Sequence, residues 1–592
     1  MSAKPLKLKR ERAKTVIRSG NHSKTAEVLI DHDLSHLDKP FSYGIPEDLI
    51  EEVGVGSRVL VPFQNGELEG VVVAVCEGDE VRRKPILKCI AQNAYSQDAL
   101  SFAELVARRY GAPVVKVLSF VPTRKRIDSA ELDSGLAIKD TINGKGKVAF
   151  QYLTRDTVQE LIRELANTSK STLCIVPTER EAESIHQQIE AVFPNRVVRA
   201  FGRARFPDTF PQTAIVIGAR SAIFWQVPNL GDIVVFHEGS EHYWSEKFPY
   251  WNVRDVALLR TQVSNLNITF ISGFPTPELS RLIELGFIKI RRSAWSNPLK
   301  RGRIASAPET YHRTIREGLE KGVVLVQTAS KDYSSFFICK RCRNRPICDC
   351  GFPLRMKRDG DFFCSACANS LSEWRCNHCL STEKLFINRG AVRIEEELGK
   401  TFPAVPIFLS TSAKPLIDLP ERGIVVATPG MEPSNGLFAG LVFLDGETQL
   451  NYPSLRAEER LLNQWFSLVA RGREGAPLYL SLPSQHRIVQ LFNSRGSARI
   501  SNAILEERRN AKLPPWYRFL RLSGTNLVSL QQKIKEEFPS IEVSRMVNST
   551  EILIRVPVEQ SQEVVDAISA LAKYRAAKAL DLISMRIDPY EI

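Results

Sequence analysis

The chain has 592 residues, is 43% hydrophobic and 25% charged, and carries a formal net charge of +13. That balance suits a soluble globular protein of about four domains at roughly 150 residues each, and no run nears the ~18 apolar residues of a membrane span. The positive excess favours polyanionic partners through counterion release, without saying which nucleic acid.

The amino terminus, MSAKPLKLKRERAK, is basic and leads into RSGNHSK rather than an apolar stretch. Residues 1–25 therefore read as a basic flexible arm, with a cytoplasmic location and no membrane association expected. Over 26–120 the short runs AEVLI, SRVLVPF and EGVVVAVC predict strands separated by turns, and LSFAELVARRYG predicts a helix stopped by glycine. Residues 121–145 are polar and mixed, as in a linker. From 146 to 311 the pattern alternates strand and helix, with KVAFQYL, STLCIVP, AIVIGA, DIVVFH and ITFISG as buried-strand runs. A second such set, GVVLVQT, VPIFLST, GIVVATPG, GLVFLD and PLYLSLP, spans 312–338 and 386–500, interrupted by a cysteine-rich stretch at 339–385. Both sets predict mostly parallel α/β sheets. The remainder, 501–592, opens with the charged helix NAILEERRNAK and then alternates as a small α+β unit.

Eight of the eleven cysteines fall in the interrupting stretch: Cys339-x2-Cys342, Cys348-x-Cys350, Cys364-x2-Cys367 and Cys376-x2-Cys379. Two-residue spacing lets a tight knuckle point both sulfurs at one ion, and tetrahedral zinc takes four thiolates, so eight ligands make two closed structural sites. Iron–sulfur ligation is the rival reading. Cys348 and Cys350 are one residue closer than the other pairs, which tightens that knuckle. His378 lies between two of the cysteines but is not needed as a ligand. Lys340, Arg341, Arg343, Arg345, Arg355, Lys357 and Arg358 give the module enough charge to meet a phosphate backbone. Cys76, Cys89 and Cys174 are isolated in strand-like runs and read as packing residues.

Two α/β lobes on a basic chain suggest a nucleic-acid-dependent NTPase, which needs G-x4-G-K-[ST] and an acidic strand end to hold Mg²⁺. Gly146-Lys147 has Thr141 in place of the leading glycine and Val148 in place of the hydroxyl. The LGKT at 398–401 lacks the leading glycine and closes a helix, whereas a phosphate loop opens one. DIVVF runs into His237-Glu238-Gly239 with no aspartate, Asp445 belongs to the second lobe, and HEGSEH has Glu241 where a zinc protease needs histidine.

Several segments together resemble one family, the PriA (primosomal protein N′) replication-restart helicases of bacteria. DKPFSYGIPEDL, GSRVLVPF and GVVVAV are similar to its 3′-end DNA-binding domain. AIVIGARSAIF, VRDVALLR and EERRNAKLPPW resemble other stretches of it, and the paired-cysteine module within the second lobe is the most specific feature. The resemblance implies two RecA-like helicase lobes, an inserted two-zinc module, a β-rich amino-terminal DNA-binding domain and an α+β carboxy-terminal domain. It implies one zinc on Cys339, Cys342, Cys376 and Cys379 and a second on Cys348, Cys350, Cys364 and Cys367. Phe41, Tyr43 and Lys88 match the family's 3′-end pocket, although Ser42 stands where an acidic residue is usual. Arg220, Arg341 and Arg343 are further candidate DNA contacts.

Gln151–Arg155 occupies the family's G-S-G-K-T and Phe236–Gly239 its D-E-E-H; ISGFPTP and VARGREG also depart from its motifs. These departures place the chain in a helicase-degenerate branch, with no catalytic or nucleotide-binding residue assigned and the winged helix missing from 121–145. The resulting expectation is a non-enzymatic protein of the nucleoid. It would bind abandoned or stalled forks and single-stranded/duplex junctions, and promote primosome assembly and helicase reloading. Its expected partners are primosome proteins, the replicative-helicase loader and single-strand-binding protein. The alternative is an active ATP-dependent 3′–5′ DNA helicase.

Overall fold

In the computed structural model the described residues are 19–591, apart from 33, 65, 79–80, 124–145, 155, 292–301, 330–336, 357–360, 365–366, 368, 387–389, 453, 494–496, 526 and 546–550. Most of the basic arm, the linker with its missing winged helix, and Arg155, Lys357 and Arg358 lie outside them. The chain divides into two compact units, Met1–Lys139 with Ser569–Leu580, and Asp140–Ile568 with Asp581–Ile592.

The first unit is built on a five-stranded antiparallel sheet. Its order is Phe41–Ile45, Lys24–Ile30, Gly66–Glu77, Arg58–Phe63, Lys88–Ala91. Alternation along Arg58–Phe63 turns Val59 and Val61 into a core with Ala26, Val28, Tyr43 and Ile45. The helix Gln97–Tyr110 follows. Ser96 Oγ accepts from the Ala99 amide at 3.1 Å, and Gly111, at φ 59°, ends the helix in the left-handed region that glycine enters at least cost.

The second unit holds two parallel sheets. The first lobe has seven strands in the order Lys289–Ile290, Val148–Tyr152, Asn267–Ser272, Leu230–Phe236, Ser171–Ile175, Ile215–Gly218, Val197–Ala200. The second has six, in the order Ile304–Ala305, Leu478–Leu480, Gly440–Phe443, Val323–Gln327, Gly423–Ala427, Ile407–Ser410. Every residue of Val148–Tyr152, Ser171–Ile175, Val323–Gln327 and Gly423–Ala427 is buried, because helices cover both faces. Helices enter from capped ends: Thr178 and Asn252 accept from amides of the first turns of Glu179–Glu190 and Val253–Val263. LGKT closes the helix Ala391–Thr401.

Between the strand Val323–Gln327 and that helix stands a small module of two sheets. Phe337–Cys339 pairs with Lys384–Phe386, while Leu354–Met356, Phe362–Cys364 and Ser370–Leu371 form the other. After the helix Ser497–Asn510, a four-stranded antiparallel sheet runs in the order Glu542–Arg545, Glu551–Pro557, Tyr517–Gly524, Ile583–Ile587. Its chain order is strand, helix, strand, strand, helix, strand, the split-βαβ arrangement. The architecture is thus α/β, with two parallel-sheet lobes, an inserted cysteine module and a small β-rich domain earlier in the chain. Among the described residues no helix is long and apolar enough to cross a membrane.

Candidate metal centres and the strand-end cleft

The eight cysteines stand in two groups of four, Cys339, Cys342, Cys376 and Cys379 in one and Cys348, Cys350, Cys364 and Cys367 in the other. Within each group the sulfurs lie within 4.8 Å of one another. Sulfur–sulfur separations are 3.4 Å for Cys339–Cys379, 3.5 Å for Cys342–Cys376, 3.6 Å for Cys348–Cys367 and 3.5 Å for Cys350–Cys364. A tetrahedron with metal–sulfur bonds of about 2.3 Å has sulfur–sulfur edges of about 3.8 Å. The donor set therefore fits an ion in each group.

The local folding follows from the spacing. In the first group two knuckles repeat one geometry. The Cys339 amide donates to Asn344 O and the Arg343 amide to Cys339 O, both at 2.9 Å, and Cys376 does the same with Ser381 and Leu380. Each loop closes through a positive φ, 62° at Arg343 and 59° at Leu380. The Cys348-x-Cys350 knuckle is one residue shorter. The Cys348 amide reaches Phe352 O, the Gly351 amide returns to Cys348 O, both at 2.8 Å, and the left-handed residue is Gly351 at φ 88°. A glycine absorbs the missing residue.

Phe337, Leu354, Phe362 and Trp374 pack between the groups, with the Phe337 and Trp374 rings edge to face at 4.9 Å. That core is too small to hold forty residues unaided. His378 is exposed and belongs to neither group. Arg355 lies over Tyr452 at 5.4 Å and Arg345 pairs with Glu447 at 3.3 Å, which seats the module on the second lobe, while Arg341 and Arg343 are exposed.

The other candidates are scattered. Tyr43 is buried, its hydroxyl 3.3 Å from Pro62 O, whereas Phe41 is half-buried, edge to face with Phe63, and beneath Lys39. Lys88 is exposed, and Ser42 donates to the Glu27 carboxylate. The Arg220 guanidinium donates to the carbonyls of His242 and Trp244, so it holds that turn from a half-buried position. Cys174 is in the first lobe's core and Cys89 at the edge of the amino-terminal one, but Cys76 is exposed near a strand end and does not pack as expected.

Where a phosphate loop would follow the strand Val148–Tyr152, the Thr154 amide donates to Thr157 Oγ1 at 2.7 Å and Gln151 Nε2 donates to Glu160 at 3.0 Å. At the end of Leu230–Phe236 is an arrangement that sequence reasoning missed. Glu238 is buried, accepting from Arg254 Nη1 at 3.0 Å and Thr276 Oγ1 at 3.1 Å. Burial pushes its carboxyl up, with Arg254 opposing. Arg254 also reaches Glu278 at 3.3 Å, and Glu278 reaches Arg456 of the second lobe at 2.6 Å. Burial pushes Glu278 up too, but Arg456 and Arg254 outweigh it and hold the carboxyl well below the usual carboxylate range. Glu238 and Arg254 lie in segments the sequence singled out, the D-E-E-H position and VRDVALLR, but nothing in the sequence shows that they meet Glu278 and Arg456.

Comparison with known proteins gives the cleft and the cysteines a context. Residues 27–122 match the family model of the PriA 3′ DNA-binding domain. A probable replication restart protein PriA from Mycobacterium bovis is 25% identical over 562 residues, covering 83% of this chain and 85% of its own length. The replication restart protein PriA of Bacillus subtilis is 23% identical over 446 residues, covering 67% of this chain and 54% of its own. Among solved structures, RecG on a three-way DNA junction has a TM-score of 0.33 at 13% identity, covering 62% of this chain and 44% of RecG. The NS3-like helicase of Alongshan virus has 0.31 at 13%, covering 58% and 74%.

The expectation of a non-enzyme does not stand. The relatives bear the PriA name over most of this chain, and the body has two lobes built on parallel sheets. Neither finding marks off a degenerate branch, and altered motifs do not by themselves make a protein inert. A match to the PriA 3′ DNA-binding domain at 27–122, eight clustered cysteines and similarity over most of the chain to relatives in several bacteria converge on one conclusion: the chain resembles the PriA replication restart proteins.

Proposed function

We propose that this protein binds abandoned or stalled DNA replication forks and single-stranded/duplex junctions, and that it promotes primosome assembly and reloading of the replicative helicase at the nucleoid. The observation that carries the reading is the 3′ DNA-binding domain match at 27–122, at the front of a chain aligned with PriA over 83% of its length. Phe41 and Lys88 serve the DNA end from the surface of that domain, with Tyr43 supporting them from beneath. Arg341 and Arg343 meet phosphates from the cysteine module, and Arg220 contributes by holding the turn at His242–Trp244. The protein partners in this reading are primosome proteins, the helicase loader and single-strand-binding protein.

Zn²⁺ is the ion proposed for both cysteine groups, because four soft thiolates in a tetrahedron select it over the oxygen-seeking cations. With four protein ligands each site is closed, so the ion holds shape and activates no water.

The deciding experiment is equilibrium binding to forked, single-stranded and linear duplex DNA over a salt series, with helicase reloading on a forked template measured alongside. Tighter binding to forks, with a logarithmic salt slope of about −0.9 per duplex phosphate neutralised, supports the reading. Equal affinity for linear duplex and forks, or no stimulation of reloading, removes it. DNA-stimulated ATP hydrolysis in the same reactions reports whether the lobes consume nucleotide in that role.

A further inference from the structure

The two lobes and the helix Ser497–Asn510 meet at six buried charges in alternation: Glu238, Arg254, Glu278, Arg456, Glu459, Arg508. Successive contacts are 3.0 Å for Glu238–Arg254, 3.3 Å for Arg254–Glu278, 2.6 Å for Glu278–Arg456 and 3.0 Å for Arg456–Glu459; Glu459 and Arg508 are also in direct contact. None of the six side chains is more than 13% exposed. The Trp244 ring lies 6.0 Å from the Arg254 guanidinium and 5.2 Å from that of Arg456, closing one side.

The charges do not balance within either half. On the first lobe Glu238, Asp255 and Glu278 surround one guanidinium, that of Arg254. Across the junction Arg456 and Arg508 surround one carboxylate, that of Glu459. The halves carry opposite excess charge, three carboxylates to one guanidinium on one side and two guanidiniums to one carboxylate on the other, so docking sets charges of opposite sign against each other. Isolated buried charge is costly, so in the docked state each of these groups depends on its neighbours, with Glu238 Oε2 left without a hydrogen-bond partner among the described residues.

The neighbouring contacts fit the same purpose. Asn463, on the second-lobe helix Ala457–Val469, accepts from Ser272 Oγ at 2.5 Å and from the Phe274 amide at 3.4 Å. Gly273 makes room for that helix, since a Cβ there would lie 2.7 Å from the Ser467 amide nitrogen and 2.8 Å from Phe466 Cβ. A Cβ at Gly239 would lie 2.6 Å from Asn463 Nδ2. His237 Nδ1 is 3.3 Å from Ser467 Oγ. At another point of the cleft Arg180 donates to Leu416 O, and Ser184 Oγ is 3.1 Å from Asn435 Oδ1.

We propose that these groups form a built-in latch between the lobes, so that the lobes dock on one another through the chain's own side chains and remain docked without nucleotide. The second lobe's helix then lies on the ends of the strands Leu230–Phe236 and Asn267–Ser272 as a resting state. The latch makes no demand on whether ATP is hydrolysed, and it stands apart from fork binding.

Hydrogen exchange on the full-length protein tests it, with and without saturating Mg·ADP and Mg·AMP-PNP. The expected result is strong protection of 457–469 and 272–279 in the nucleotide-free protein, unchanged by either nucleotide. Glu278→Gln should speed exchange in both segments by about tenfold or more, while the central strands 215–218 and 424–427 keep their protection as a control for folding. Should Glu278→Gln fail to fold, Gly273→Ala keeps every charge and should loosen the same two segments by displacing the helix. Rapid exchange in the nucleotide-free wild type that slows on adding Mg·ADP or Mg·AMP-PNP would overturn the latch. So would a folded Glu278→Gln or Gly273→Ala protein with wild-type exchange.

Discussion

Glu278 shows how one carboxylate can serve two guanidiniums. Burial opposes its charge, but Arg456 and Arg254 prevail and keep it ionised far into acid. Removing one member of such a buried group strands the others, at a typical cost of about 3–5 kcal/mol. Glu278→Gln is therefore expected to lower the urea midpoint markedly at pH 7. The pH dependence has a definite sign. A depressed folded pKa stabilises the fold fully above the unfolded value of about 4.3, and that stabilisation is lost as pH falls through it toward the folded value. The gap in urea midpoint between wild type and Glu278→Gln should thus narrow from about pH 5 downward; a gap that widens in acid would refute the assignment. At Gly351 the issue is backbone alone. Its φ is 88°, and a Cβ there would meet nothing within 4 Å, so Gly351→Ala adds strain without a clash. About 1 kcal/mol of strain should weaken the second metal group by roughly fivefold in a chelator competition, with the first group unaffected.

At the scale of elements, the cysteine module and the lobes draw stability from different sources. The lobes have continuous apolar cores, with Leu161, Ile185, Ile217 and Val234 in one and Ile315, Val326, Ile394 and Val426 in the other. Among the described residues the module buries four large apolar side chains beside its eight thiols. Stripping metal with a chelator should therefore unfold the module while leaving the lobes intact. Exchange at 337–386 should rise to that of an open chain, with the strands 323–327 and 424–427 still protected. Metal analysis should return two zincs per chain for the wild type and one for Cys339→Ser. A loss of both ions from that single change would mean the groups fold as one unit.

For the whole molecule, the net charge of +13 acts through the salt dependence of DNA binding. Each phosphate contact contributes about 0.9 to the logarithmic salt slope on duplex. Lys88→Ala, Arg341→Ala and Arg343→Ala should each flatten the slope for forked DNA by about that amount, and weaken binding to every sequence alike. A variant that loses affinity with an unchanged slope would place that residue away from the phosphates.

Much of this organisation was legible in the amino-acid order. Nine interior strand runs stood out because strands covered on both faces must be apolar throughout, as Val323–Gln327 and Gly423–Ala427 are, and VPIFLST announced the partly buried edge strand Ile407–Ser410 as well. The cysteine knuckles were legible because two sulfurs two residues apart have few ways to face apart. Edge strands such as Val197–Ala200, Lys289–Ile290 and Ile304–Ala305 were not, being short and partly exposed, with no apolar run to announce them. Spacing alone left open which cysteine pairs share an ion. Pairing of Phe337–Cys339 with Lys384–Phe386 brings the outer pairs together, and pairing of Leu354–Met356 with Phe362–Cys364 does so for the inner ones. The six-charge junction was beyond any local reading. Glu238 and Arg508 lie in segments the sequence singled out, but far apart in the chain; only the docking of two lobes and a helix removes the water around them and makes each depend on the next. Local pattern determines which segments become strands, helices and knuckles, because it acts through periodicity and short-range geometry. Burial of charge is decided by distant segments meeting, and that exists only in the folded chain.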